Sequence, residues 1–229
     1  MKNIILILSL AMVFVFSGCS KKDETKSDKQ EKETKMADTT MPQSKNDSLT
    51  AIRYPVRDLS NPYVTLVTDF GDMTIEMYRD VAPAHVDSFI ARSVEGFYDG
   101  TIFHRIIDNF MIQGGDPQGT GLGNAGYYLK AEFSDLPHHD GTLSMARSTD
   151  PNSASCQFFI CLARNRGTSG LDKKYTVFGQ LIKGYDVLHE IGSVECIPNP
   201  SNPREISKPK EDVYLRKVYL SDIDGNELK

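Results

Sequence analysis

The chain has 229 residues, room for one domain of ordinary size with appendages. Its 26 Lys and Arg against 31 Asp and Glu give a formal charge of −5 with no basic block, which argues against nucleic acid as a partner. Four cysteines are too few for a disulfide-built scaffold, and tryptophan is absent.

The N-terminus reads as an export signal. Lys2 supplies a positive start and residues 4–16 are apolar apart from Ser9, a run too short to cross a bilayer as a helix. Ser17-Gly18-Cys19 then resembles the lipobox of bacterial lipoproteins. That resemblance implies cleavage before Cys19 and lipidation of its sulfur; a plain signal peptide with a chance cysteine is the alternative. From Ser20 onward, lysines interleave with acids among Ser, Thr and Gln, with no apolar period. Such a stretch buries too little apolar surface to offset chain entropy and is expected to be a disordered leash. Forty residues of flexible coil reach roughly 35 Å. The expected organisation is a signal peptide over 1–18, a lipidated Cys with a charged linker over 19–61, and one folded domain over 62–229.

Within that domain, residues 63–68 are β-branched and aromatic, 69–72 turn, and 73–78 alternate, a hairpin signal. Pro83 suits a first helical turn; Val86, Phe89, Ile90 and Val94 follow at helical spacing, and Gly96 ends the pattern. Short apolar strands are expected at 100–107, 110–114, 142–146, 157–163 and 175–182. A second helix is expected at 185–191 with Val187, Leu188 and Ile191 as its face, and a closing strand at 213–220. Many short strands with few helices make a mainly β domain, a barrel or a sandwich.

The chemistry-bearing residues lie mid-chain. Arg105 and Gln113 are polar members of apolar strands. At period 2, Phe103, Arg105 and Ile107 share one face, Met111 and Gln113 share another, and Gln157 shares a face with Phe159. One Arg, two Gln and several Phe and Met make either a shallow apolar pocket with few directed donors, or a plain core with Arg105 merely exposed. No nucleophile or acid–base pair stands out. Gly121-Leu122-Gly123-Asn124-Ala125-Gly126 matches a dinucleotide fingerprint in letters, but without the strand before it and the helix after it, so a loop bordering the pocket is expected. His138-His139-Asp140 has no third ligand at metal spacing. Cys156 and Cys161 point to opposite faces of one strand; with Cys196 they read as small buried hydrophobes, a bond to Cys196 remaining open. His85 and His189, on predicted helices, read as structural or surface residues.

Phe103-His104-Arg105-Ile106-Ile107, Phe110-Met111-Ile112-Gln113-Gly114-Gly115-Asp116, Gly141-Thr142-Leu143-Ser144-Met145-Ala146, Gln157-Phe158-Phe159-Ile160 and the run from Leu171 to Gly179 together resemble the cyclophilin-type peptidyl-prolyl cis–trans isomerases, in order and spacing over roughly 62–222. The resemblance implies a closed eight-stranded antiparallel β-barrel capped by two helices, and no cofactor or metal. It implies Arg105 as the catalytic residue and Phe110, Met111, Phe159 and Leu171 as walls of a proline pocket. Gln113 and Gln157 would hold the substrate backbone, and Ala146 with the backbone of Arg147 would form the edge that pairs with the peptide. The sequence departs from many relatives at Gly170 (tryptophan), Tyr175 (histidine), Arg147 (asparagine) and Cys156 (serine or threonine); Tyr175 keeps an aromatic wall. The implied function is rotation of X–Pro bonds in exported or envelope proteins, by a monomer anchored to the membrane through lipid in the cell envelope. The alternative from another class is a non-catalytic proline-peptide binder or chaperone using the same groove.

Overall fold

The computed structural model describes residues 61–228, and the expected signal over 1–18, Cys19 and nearly all of the expected linker lie outside them. The elements run β1 (Tyr63–Thr68), β2 (Gly71–Met77), α1 (Pro83–Val94), β3 (Thr101–Ile102), β4 (Arg105–Ile107), β5 (Met111–Gly114), β6 (Thr142–Met145), β7 (Phe158–Cys161), α2 (Arg166–Ser169), β8 (Val177–Lys183), α3 (Tyr185–Gly192), β9 (Cys196–Asn199), β10 (Asn202–Pro209) and β11 (Tyr214–Ser221).

The main sheet is antiparallel, in the order β3-β11-β1-β2-β8-β6-β7-β5-β4. The domain is mainly β as expected, but the sheet is a ladder of nine strands rather than a closed ring of eight. Its two end strands, β3 and β4, are two pieces of the segment expected as one strand at 100–107. Only Phe103 and His104 separate them, so chain connectivity brings the two sheet edges within about 10 Å of each other. The sheet therefore curls around one core.

That core is aromatic at its centre. Phe89 of α1 stacks on Tyr98 (centroids 4.9 Å) and meets Phe158 edge-on (5.3 Å), and Phe158 meets Tyr98 (5.7 Å) and Phe103 (6.3 Å) in the same T-shaped way. Phe103 is a correction to the expected alternation. It is buried here rather than sharing a face with Arg105, because the chain leaves the ladder between β3 and β4 and the period of 2 breaks there.

Helix α1 begins at Pro83, where a missing N–H costs nothing. No local side chain caps it. The Glu132 carboxylate does so from a distant loop, accepting the N–H groups of Ala84 (3.2 Å) and His85 (3.1 Å) at the positive end of the helix. Val86, Phe89 and Ile90 are buried as the spacing required, whereas Val94, expected on the same face, is exposed at the last turn. In α3, Leu188 and Ile191 are buried and Val187 packs against them. Helix α2 is a third, single-turn helix beyond the two expected, closed by a reciprocal cap between Asn165 and Thr168.

The β9–β10 hairpin is the other element without a sequence expectation. It forms a separate two-stranded sheet whose second strand lies against β4, and the Cys196 thiol approaches the Ile106 carbonyl (3.7 Å). It covers the edge strand that carries Arg105. Cys156, Cys161 and Cys196 are all free. Cys156 belongs to the main core and Cys161 to a small outer cluster, so they lie on opposite sides of the sheet as expected. Burial pushes their thiols up to about 11 and about 12, which leaves them inert.

Candidate functional site

Strand pairing builds the site. Arg105 faces Gln113 across β4 and β5, Gln113 faces Phe159 across β5 and β7, and Phe159 faces Ser144 across β7 and β6. One row of side chains thus crosses four strands on the outer face. The next row inward along the same strands, Ile106–Ile112–Ile160–Leu143, lies wholly in the main core. Alternation at period 2 sends one row to the site and its neighbour to the interior. The open question between pocket and plain core is therefore resolved by both occurring, on opposite faces of one set of strands.

On the outer face Met111, Phe159 and Cys161 form a buried cluster, with Ile107, Phe110, Ala146, Leu171 and Tyr175 packed around it. A hollow of about 260 Å³ opens over it, bounded by Arg105, Phe110, Met111, Gln113, Ala146, Arg147, Phe159, Leu171 and Tyr175. Gln157, the remaining residue expected here, lines the adjoining hollow of about 300 Å³, which shares Gln113, Ala146 and Arg147 with the first. Tyr175 stands edge-on to Phe159 (5.8 Å, 82°). The Arg147 guanidinium lies over the Tyr175 ring (4.6 Å) and donates to the carbonyls of Lys174, Ser148 and Thr149. Its side chain is thus spent on the rim, and only its backbone is offered to the groove. Ala146 N–H donates to Gln157 O (2.9 Å), which turns the polar groups of Ala146 toward β7 and leaves those of the next residue, Arg147, facing away from it.

The two glutamines divide the polar work. Arg105 Nη1 donates to Gln113 Oε1 (3.2 Å), and Gln113 Nε2 donates to Gln157 Oε1 (3.0 Å). Gln157 Nε2 donates to the carbonyls of Gly121 (3.0 Å) and Gly123 (2.9 Å). Both Gln157 amide hydrogens are engaged, so Gln113 keeps the free donor and Gln157 anchors the loop. That loop is the glycine run 121–126, and it borders the site rather than opening a helix. Buried Asp116 fixes its entry by accepting the N–H groups of Gln118 (2.8 Å) and Thr120 (2.9 Å) as well as that of Gly121. A Cβ at Gly123 would collide with this carboxylate, so only glycine fits there.

Two polar supports escaped the sequence reading. His138 lies flat beneath Phe159 (5.9 Å, 14°), with Nδ1 on Asp172 (3.1 Å) and Nε2 on the Ser144 hydroxyl (3.0 Å). Both nitrogens are spent on orienting the pocket floor. Glu205, on β10, forks onto Arg105: Nε donates to Oε1 (2.7 Å) and Nη2 to Oε2 (2.9 Å). The guanidinium holds the Glu205 carboxyl down to about 2. No local signal links positions 100 residues apart. His85, buried on α1, bonds Glu132 (2.7 Å), while His189 on α3 is exposed and bonds Asp140 (3.0 Å).

These groups give a pH signature. Burial lowers His85, His104 and His138 below 6.5, against the opposing pull of Glu132 on His85, Asp116 on His104 and Asp172 on His138. In the window beneath 6.5 the unfolded chain binds more protons than the folded one, so stability falls as pH falls. The Asp116, Asp172 and Glu205 carboxyls are instead held low. Burial opposes this at Asp116 but backbone N–H groups outweigh it, and the Arg164 and Arg105 guanidinium groups dominate at Asp172 and Glu205. Their stabilisation is complete above the ordinary carboxylate range and is lost as pH falls below it. Urea midpoints should therefore drop in two stages, between pH 7 and 5 and again below about pH 4; a midpoint constant from pH 7 to 3 would contradict these placements.

Residues 63–219 match the family described as cyclophilin type peptidyl-prolyl cis-trans isomerase/CLD. A peptidyl-prolyl cis–trans isomerase of Arabidopsis thaliana is 46% identical over 69% of this chain and 94% of its own, and one of Acinetobacter baylyi is 39% identical over 72% and 89%. A protein of Streptococcus pyogenes named as a bifunctional phosphatase/peptidyl-prolyl isomerase is 40% identical over 75% of this chain but only 42% of its own length, so the chain spans less than half of that relative. A crystal structure of a Cryptosporidium parvum cyclophilin type isomerase, determined in the presence of the dipeptide Ala-Pro, superposes with a TM-score of 0.62 at 32% identity, covering 70% of this chain and 99% of that one.

Proposed function

This chain belongs to the cyclophilin-type peptidyl-prolyl cis–trans isomerases, and from that premise we propose that Arg105 drives the rotation and that the enzyme works on exported polypeptides from a lipid anchor at Cys19. The observation that carries the catalytic reading is a guanidinium on the rim of an apolar hollow walled by Phe110, Met111, Phe159 and Leu171.

An X–Pro amide rotates over a barrier of about 18–20 kcal/mol, because C–N resonance must be broken. No covalent bond forms or breaks, so the site needs no nucleophile and no proton acceptor. The apolar walls seat the pyrrolidine ring. The free Gln113 amide hydrogen and the backbone of Arg147 hold the neighbouring peptide backbone, with Ala146 lining the edge beside them. At the halfway twist the prolyl nitrogen pyramidalises and exposes a lone pair, which an Arg105 N–H can bond. The planar amide offers no such acceptor, so the bond is made only in the transition state.

The anchored location rests on the apolar run at 4–16, the Ser17-Gly18-Cys19 junction and the charged stretch that follows. In this reading the domain works in the cell envelope, on the periplasmic or outer-surface side, within about 35 Å of the membrane. Mass spectrometry of the mature chain tests it. A diacylglycerol-modified Cys19 at the new N-terminus, and release of Cys19→Ala into the soluble fraction, are the expected results. An unmodified chain beginning at another residue would overturn the anchor and leave the isomerase intact.

A further inference from the structure

We infer that Glu205 is a positioning residue for the reaction, fixing which edge of the Arg105 guanidinium faces the substrate. The inference rests on Arg105 being the catalytic donor.

Arginine carries five N–H hydrogens in a rigid fork. Glu205 takes two of them, from Nε and Nη2, along one edge (2.7 and 2.9 Å). Gln113 takes one from Nη1 (3.2 Å), with the Met111 sulfur alongside (3.9 Å). The fork is clamped on two sides, and the remaining Nη hydrogens are the ones left for a ligand. Without Glu205, one hydrogen bond to an uncharged acceptor and a sulfur contact would hold a long side chain that is about 29% exposed. Such a side chain samples many rotamers.

Glu205 is itself held. Ser207, wholly buried, donates to Glu205 Oε1 (2.7 Å), and Asn199 Nδ2 donates to Ser207 (3.2 Å). The relay runs from β9 through β10 to Arg105, and on through Gln113 and Gln157 to the carbonyls of Gly121 and Gly123. The hairpin that covers the β4 edge is therefore wired to the groove from one end to the other. A carboxylate also moderates the guanidinium's field, and that effect alone would predict a faster enzyme once it is removed. Orientation outweighs it here. The acceptor is a neutral nitrogen lone pair, for which direction decides the bond, and the clamped guanidinium keeps its own charge.

The test compares wild type, Glu205→Gln, Arg105→Ala and the double variant on one X–Pro peptide, with kcat and KM separated by exchange NMR. Gln preserves the size and one acceptor oxygen of Glu, so the hairpin remains folded; Ser207→Ala, which removes the buttress of Glu205 together with the acceptor of Asn199, is the second variant and should lower kcat in the same direction. Glu205→Gln should lower kcat about fivefold or more and leave KM within about twofold, as lost orientation does. In the Arg105→Ala background it should change nothing further. The Arg105 Nε–H resonance, shifted downfield by its charge-assisted bond, should move upfield in Glu205→Gln. A kcat equal to or above wild type, or an equal loss in both backgrounds, overturns the role of Glu205 while leaving Arg105 in place. A near-normal rate for Arg105→Ala alone overturns the catalytic reading itself.

Discussion

Arg105→Ala should lower kcat/KM by about ten- to two-hundred-fold while the domain stays folded. The size follows from the interaction removed: a hydrogen bond from a charged donor is worth about 1.5–3 kcal/mol, which converts to that span of rates. The fold should survive because Arg105 sits on the outer face of the curled sheet, its side chain about 29% exposed, and contributes nothing to the main core. The carboxylate it leaves behind, Glu205, is about 26% exposed and can be rehydrated. Exposed ion pairs contribute at most about 1 kcal/mol, so the thermal midpoint should shift by only a few degrees. A protease-coupled assay on a proline peptide, run beside a melting curve, reads both quantities. Near-normal turnover would remove Arg105 from the mechanism.

The adjacent residues Phe158 and Phe159 should give opposite phenotypes, and the contrast tests the architecture as a whole. Phe158 is fully buried, with three aromatic rings edge-on to it. Truncation to alanine should cost about 3–5 kcal/mol, a third or more of a typical domain's stability, and should move the denaturant midpoint strongly. Phe159 points the other way, between His138 and Tyr175 in the outer cluster. Its loss strips a wall worth about 1.5–3 kcal/mol of apolar contact to a seated ring. Phe159→Ala should therefore raise KM roughly tenfold or more and destabilise the domain less than Phe158→Ala does. The reverse ordering would place the two rings on the wrong faces.

The site was legible in the sequence where local periodicity governs it. Arg105, Gln113 and Phe159 are polar or pocket-facing members of short apolar strands, and antiparallel register sets them side by side. All ten groove residues expected from the family resemblance line the two adjoining hollows. The rest depended on tertiary contacts. Phe103 left its expected face because the chain steps off the ladder beside it. The ring of eight became nine strands for the same reason, one segment being split into β3 and β4. The β9–β10 hairpin gave no signal because it contains Pro198, Pro200, Pro203 and Pro209, and only Ser207 and Pro209 of β10 are buried. Proline is tolerated on such a two-stranded edge, and nothing apolar alternates there. Glu205, Glu132 and His138 act across long stretches of chain, where neither spacing nor composition speaks.

The most direct measurement pairs affinity with rate for Arg105→Ala on the same X–Pro peptide, the dissociation constant from titration and the interconversion rate from exchange NMR. Because Arg105 bonds the prolyl nitrogen only when the amide is twisted, the dissociation constant should stay within about threefold of wild type while the bound-state rate falls tenfold or more. If affinity and rate decline by the same factor, or if the rate holds, the guanidinium does not discriminate the twisted state from the planar one.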